Sequence, residues 1–139
     1  MLKGKCESLS GLGLLWMRLL MGTGIAYHGY GKVFGGMEKF TGYITHLNVP
    51  MPELMAWVAA LSEFGGGLMI IFGLGTRFGA LLVFGTMTVA AFMAHAGDPL
   101  MKKELALAYW AMAGTLMLTG AGKFSFDWHK CPCEQKLKS

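Results

Sequence analysis

The chain has 139 residues, of which 54% are hydrophobic and 14% charged, and it carries a net charge of +4. Soluble domains hold roughly a quarter charged residues, so the composition points to a membrane rather than to water. The basic residues lie scattered between apolar blocks and form no dense stripe, which excludes a nucleic-acid binder.

The first apolar block, Leu9–Tyr27, follows Lys3 and Lys5. It is longer than the roughly 7–15 residues of a signal-peptide core, is interrupted by Arg18 and lacks a small-residue cleavage site, so it reads as a retained span. A long connection, His28 to Glu53, comes next. Within it Met37, Phe40, Ile44 and Leu47 recur at helical spacing, with Glu38, Lys39, Thr41 and Thr45 between them. That pattern predicts a short interfacial helix between helices one and two, with an ordered loop bearing apolar anchors as the alternative. Pro50 and Pro52 open the second block, Leu54–Leu74, where proline suits a first turn. Gly73-Leu74-Gly75-Thr76-Arg77 predicts a tight turn into the third block, Phe78–Ala94. Asp98-Pro99 breaks the chain before the fourth, Leu105–Ala121.

About 20 apolar residues cross the hydrocarbon of a bilayer, with about 17 as a lower limit. No block alternates with period two, and none has a broad polar face. The fold expected is therefore all-α, a four-transmembrane-helix bundle. Lys3, Lys5, Arg77, Lys123, Lys130, Lys136 and Lys138 fall on one side and Lys32, Lys39, Lys102 and Lys103 on the other. That excess predicts N- and C-termini in the cytoplasm.

Arg18 and Glu63 lie near the middles of their blocks. A charge alone at mid-bilayer costs about 2.5–3.5 kcal/mol on insertion scales. An Arg18–Glu63 pair is therefore expected in the bundle interior, either fixing helix packing or lining a cavity for a polar or redox-active small molecule. His28, Lys32, His95 and Glu104 gather toward the other side, within reach of Glu63 from mid-depth. Two histidines and one or two carboxylates from different helices can bind a metal or relay protons beside a quinone. Interfacial His and Tyr also anchor helix ends without any chemistry, and no His-Glu-x-x-His motif is present, so no metal ligand is assigned. Gly65-Gly66-Gly67, Gly75 with Gly79, and Gly22 with Ala26 offer close-packing surfaces.

Cys6, Cys131 and Cys133 fall on the expected cytoplasmic side. Cys131-Pro132-Cys133 cannot make a four-cysteine zinc site alone, but with His129 and Cys6 it offers a three- or four-ligand set; a reactive dithiol and an ordinary tail are the alternatives.

The ordered set of Arg18, His28-Gly29, Lys32, Phe34, Phe40-Thr41-Gly42-Tyr43 and Leu47-Asn48-Val49-Pro50-Met51-Pro52 resembles the DoxX family of small bacterial and archaeal membrane proteins. So do Glu63-Phe64-Gly65-Gly66-Gly67-Leu68, Gly73-Leu74-Gly75-Thr76-Arg77 and Gly120-Ala121-Gly122-Lys123-Phe124-Ser125-Phe126-Asp127. The resemblance runs from about Leu14 to Asp127, implying a membrane domain over residues 1–127 and a cysteine-bearing cytoplasmic tail over 128–139. It implies a four-helix bundle in the cell inner membrane and a redox setting. The family is named after a subunit of a thiosulfate:quinone oxidoreductase, and other members are associated with oxidative or thiol stress. Fold transfers through such a resemblance better than activity does.

The leading expectation is a membrane subunit of a redox system linked to a quinone or a sulfur compound. Its expected catalytic residues are Glu63, His28 and His95, and its expected ligand-binding residues are Arg18, Lys32, Glu63 and Glu104. No haem or dinucleotide motif is visible, so electrons would pass through a bound quinone, the tail thiols or a soluble or membrane redox partner subunit. The alternative is a non-catalytic anchor that recruits a soluble redox protein through the tail. A transporter ranks last, because four helices would line a path only as a homo-oligomer and no inverted repeat is evident.

Overall fold

A computed structural model describes residues 2–127, with side chains from residue 8 onward. Helix α1 spans Leu2–Gly31 and passes through a π-helical segment, Lys32–Gly36, into α2, Met37–His46. Helix α3 spans Pro52–Phe72, α4 spans Thr76–Val89, a second π-helical segment covers Ala90–Ala94, and α5 spans Leu100–Thr119. The fold is all-helical. Helix α3 packs between α1 and α4, and α4 packs against α5, while α1 and α5 meet only sparingly.

Ser8–His46, Pro52–Phe72 and Thr76–Ala94 are long and apolar enough to cross a membrane. Helix α5 has 20 residues, but Lys102, Lys103 and Glu104 near its start set it apart from those three. The expected span Leu9–Tyr27 is the middle of a longer helix, and much of the expected loop after it is helical.

Small residues set the depth at which α1 and α3 meet. A Cβ on Gly22 would fall 2.7 Å from the Ile71 side chain, and one on Gly67 would fall 2.7 Å from the Ala26 backbone nitrogen. A Cβ on Gly29 would strike the backbone of Phe64. Only hydrogen fits there, so the two backbones run in contact as small-residue membrane interfaces do. Gly66 and Gly79 serve the α3–α4 seam similarly, since a Cβ on Gly66 would fall 2.9 Å from the Gly79 carbonyl oxygen. Between α4 and α5, Phe84 stacks on Trp110 at 5.1 Å, and Trp110 Nε1 donates to Thr88 Oγ1 at 3.0 Å. Met21, Ile25, Ile70, Val83 and Leu116 are buried at the centre.

The connections are short. Asn48 and Met51 both take left-handed backbone (φ 52° and 50°), turning the chain from α2 into α3. Gly73 and Gly75 (φ 69° and 58°) do the same between α3 and α4, a conformation glycine adopts without a Cβ penalty.

Candidate functional site

Arg18 does not meet Glu63. With Gly22 beside Ile71 and Gly29 beside Phe64, the antiparallel register carries Arg18 toward the α3–α4 turn, roughly 18 Å along the seam from Glu63 at 1.5 Å per residue. The centre of an apolar block is not the centre of a helix, and the expected pair fails for that reason. Arg18 is buried and ends on backbone oxygens. Nε donates to Ile70 O (2.9 Å), Nη2 to Ile71 O (3.0 Å), and Nη1 to Ala121 O (3.0 Å) and Phe124 O (2.8 Å). Ile70 and Ile71 belong to the last turn of α3, whose carbonyls have no helical partner and carry the negative end of the helix dipole. Gly73 makes room, since a Cβ there would collide with the guanidinium. Arg18 is thus a clamp that joins α1, the end of α3 and the chain after α5. Asp127 completes this end: its carboxylate accepts from Gly75 N and Thr76 N at 2.7 Å each, capping α4.

Glu63 is paired with Lys32. The Lys32 Nζ donates to Oε1 at 2.6 Å and to Oε2 at 2.7 Å. The carboxylate side chain is 3% exposed and the lysine 27%, so the charge-assisted pair stands at the edge of the bundle interior. Lys32 Nζ also lies 4.4 Å from the centroid of the Phe40 ring, a cation–π distance. An ammonium has three N–H donors, so two on Glu63 leave one for another oxygen.

Two spaces meet at this pair. The first is a cavity of about 160 Å³ lined by Ile25, His28, Lys32, Glu63, His95, Lys102 and Tyr109 among others. The second is a groove of about 580 Å³ beneath α2, lined by Phe40, Ile44, Leu47, Val58, Ala59, Gly85 and Val89 and reaching the same Lys32, Glu63, Ala90 and His95. The first is the more polar of the two, and its volume is close to the roughly 150 Å³ of cavities that accept benzene. The second is apolar and within the usual range of ligand pockets. Both π-helical segments border the junction, one beginning at Lys32 and the other running from Ala90 to the residue before His95. Such segments interrupt the regular helical ladder and occur often at functional sites.

His28, His95, Lys32 and Glu63 therefore come together, as their positions in the sequence suggest. Arg18 stands at the other end of the bundle, and exposed Glu104 does not line the cavity. Glu104 misses because the α5 face turned inward is that of Lys102, Leu105, Ala106 and Tyr109. The last two residues of note, Lys102 and Tyr109, escaped the sequence reading, although their spacing of seven marks one helical stripe. Tyr109 lies edge-on to His28 with ring centroids 6.2 Å apart. At the rim, His95 Nδ1 lies 2.8 Å from Asp98 Oδ2, and Lys102 Nζ is 3.8 Å from Asp98 Oδ1. The hydrogen bond to His95, helped by Lys102, holds the Asp98 carboxyl below the usual carboxylate range. Among the described residues no three His, Cys, Asp or Glu side chains cluster as metal ligands. The Cys6 side chain, His129, Cys131 and Cys133 lie outside the described residues.

A family model described as DoxX matches residues 13–96. The Escherichia coli (strain K12) "Inner membrane protein YqjF" is 33% identical over 131 residues, covering 87% of this chain and 94% of that protein. The Bacillus subtilis (strain 168) "Putative oxidoreductase CatD" is 34% identical over 93 residues, covering 61% and 67%. No solved structure matches.

Proposed function

The chain belongs to the DoxX family, and from that premise we propose that it is an integral inner-membrane subunit of a redox system that binds a quinone headgroup between Lys32, Glu63, His28 and His95. The observation that carries the reading is the Lys32–Glu63 pair, which lines both a small cavity beside His28 and His95 and an apolar groove. In this reading the free Lys32 donor polarises a ring oxygen, and Glu63 or a histidine exchanges the proton that accompanies reduction or oxidation. The electrons come from a partner redox protein. The name of CatD agrees with redox work, and that of YqjF with the inner membrane.

Helix α5 is the fourth span in this account, its 20 residues covering roughly 30 Å with the charged start at the boundary. In the same account helix α2 lies at the interface, and the Lys and Arg balance supports cytoplasmic termini.

The test is purified protein in lipid nanodiscs, titrated with a water-soluble benzoquinone. Wild type binds it; Glu63→Gln and Lys32→Met, shown folded by circular dichroism, bind it at least tenfold more weakly. Equal binding by all three would remove the pair from the site.

A further inference from the structure

The end of the bundle away from Lys32 carries a third space, of about 480 Å³, between the first turn of α4 and the chain that leaves α5. Its walls include Arg77, Phe78, Thr119, Gly120 and Asp127. Depth fixes what surrounds it. Pro52–Phe72 and Thr76–Ala94 are each long and apolar enough to cross a membrane, and only Gly73, Leu74 and Gly75 separate them. So short a turn between two antiparallel spans lies at the edge of the hydrocarbon, among the lipid headgroups. The end of α5 stands at the same level, because Arg77 Nη2 reaches Leu118 O at 3.4 Å.

Arg77 is exposed, and its contact to Leu118 O is longer than an ordinary hydrogen bond. Its guanidinium presents a planar fork of N–H donors, and among the described residues no carboxylate forms an ion pair with it. Asp127 lines the same space, but its oxygens accept from Gly75 N and Thr76 N at 2.7 Å each. The start of α4 is therefore already capped, and the unused donors are those of Arg77. Gly120 leaves the guanidinium uncovered: a Cβ there would fall 3.4 Å from Arg77 Nε, and its φ of 78° suits glycine. Phe78 and Leu118, 59% and 75% exposed, present apolar surface beside it.

We propose that this space holds the headgroup of an anionic phospholipid, its phosphodiester bound by the Arg77 fork and its acyl chains lying along Phe78 and Leu118. A guanidinium fork matches two phosphate oxygens. Among the described side chains of this end, Arg18, Arg77 and Lys123 stand against Asp127, so the local charge is positive and an anion is attracted. A choline or ethanolamine head would bring a second cation beside Arg77, where the one carboxylate is already engaged by two N–H donors. The lipid gives up only the long contact to Leu118 O, and the buried Arg18 clamp is untouched. The site lies at the opposite end from Lys32 and Glu63 and is independent of what they bind.

The experiment is native mass spectrometry of the full-length protein in a mild detergent. Phosphatidylglycerol or phosphatidylcholine with the same acyl chains is added, and the bound fraction is read against concentration. Wild type should take up its first phosphatidylglycerol roughly tenfold or more tightly than phosphatidylcholine. Arg77→Gln, shown folded by circular dichroism, should bring the two lipids within about twofold of each other. Arg77→Lys keeps the charge without the fork and falls between. Thr119→Trp, at an exposed wall position, fills the space with every charge in place and should weaken phosphatidylglycerol as Arg77→Gln does. Lys123→Gln should stay within about twofold of wild type. Equal uptake of both lipids by wild type, or an undiminished preference in both Arg77→Gln and Thr119→Trp, would overturn the site. A loss in Lys123→Gln as large as in Arg77→Gln would reduce the attraction to net charge and overturn it as well. Displacement of the lipid by an equal concentration of inorganic phosphate would make the occupant a free anion, against the proposal.

Discussion

Replacing Arg18 by methionine separates the clamp from the site. The substitution keeps an unbranched apolar stem and removes the guanidinium from four carbonyls. The bonds to Ile71 O and Phe124 O are only partly buried, and water can replace the lost donor there. Those to Ile70 O and Ala121 O are buried, and at about 1.5–3 kcal/mol for each bond to a charged group their loss totals roughly 3–6 kcal/mol. Relief from burying a guanidinium offsets part of this, leaving a net loss on the order of 3 kcal/mol. At about 2–4 °C per kcal/mol the melting temperature falls by roughly 10 °C. Arg18→Lys, with three donors for four acceptors, falls between methionine and wild type. The assay is thermal unfolding in detergent, followed by circular dichroism, with quinone binding measured well below the transition. The reasoning requires lowered stability with binding kept. A variant with unchanged melting and abolished binding would return Arg18 to the ligand site and refute the clamp.

Removing either member of the Lys32–Glu63 pair should not be equivalent. Lys32→Met strands a buried carboxylate and costs about 3–5 kcal/mol. Glu63→Gln leaves a lysine that can turn to solvent and costs less, and Lys32→Met with Glu63→Leu recovers most of the loss; urea or thermal unfolding of the four proteins checks the order. Gly67→Ala forces a methyl group onto the Ala26 backbone and should lower folded yield several-fold. Gly65→Ala meets nothing within 4 Å and should be neutral or stabilising by up to about 1 kcal/mol. Asp98 carries a lowered pKa, so its bonds to His95 and Lys102 favour the closed corner above the unfolded value of about 3.9 and are lost as pH falls through the lower folded value. Amide exchange over residues 95–102 should rise in that acid range, and Asp98→Asn should exchange faster already at neutral pH and lose the dependence.

The helices were legible because their apolar runs are long and their breakers plain: Asn48 to Pro52, Gly73 to Gly75, Asp98-Pro99. The amphipathic segment was legible too, since Phe40, Ile44 and Leu47 share the face that lines the groove. Register was not. Gly22, Ala26 and Gly67 announce close packing, but which glycine lies over which residue is decided by shape complementarity across two helices, and a shift of a few turns exchanges every polar partner. Arg18 and Glu63 appeared level because hydropathy marks where apolar residues are dense, whereas α1 extends well past its apolar block at both ends. Lys32 read as a loop residue for the same reason. Its place at the start of a π-helical segment turns it inward onto Glu63, and a 3.6-residue period does not anticipate that.

The two ends of the bundle differ in how fully their interior charges are satisfied, and this difference bears on which end has bonding capacity left for a ligand inside the bundle. At the Arg18 end, all three guanidinium nitrogens are engaged, the α3 carbonyls are met, and Asp127 caps α4. Such an end is stiff, and a ligand would have to displace bonds that hold three segments together. At the Lys32 end, one ammonium donor has no partner among the described residues, each Glu63 oxygen accepts one bond from Lys32, and two π-helical segments leave the backbone ladder irregular beside an open cavity. A ligand oxygen there completes a set of hydrogen bonds instead of breaking one. A ligand at the Lys32 end would therefore cost the bundle fewer existing bonds than one at the Arg18 clamp.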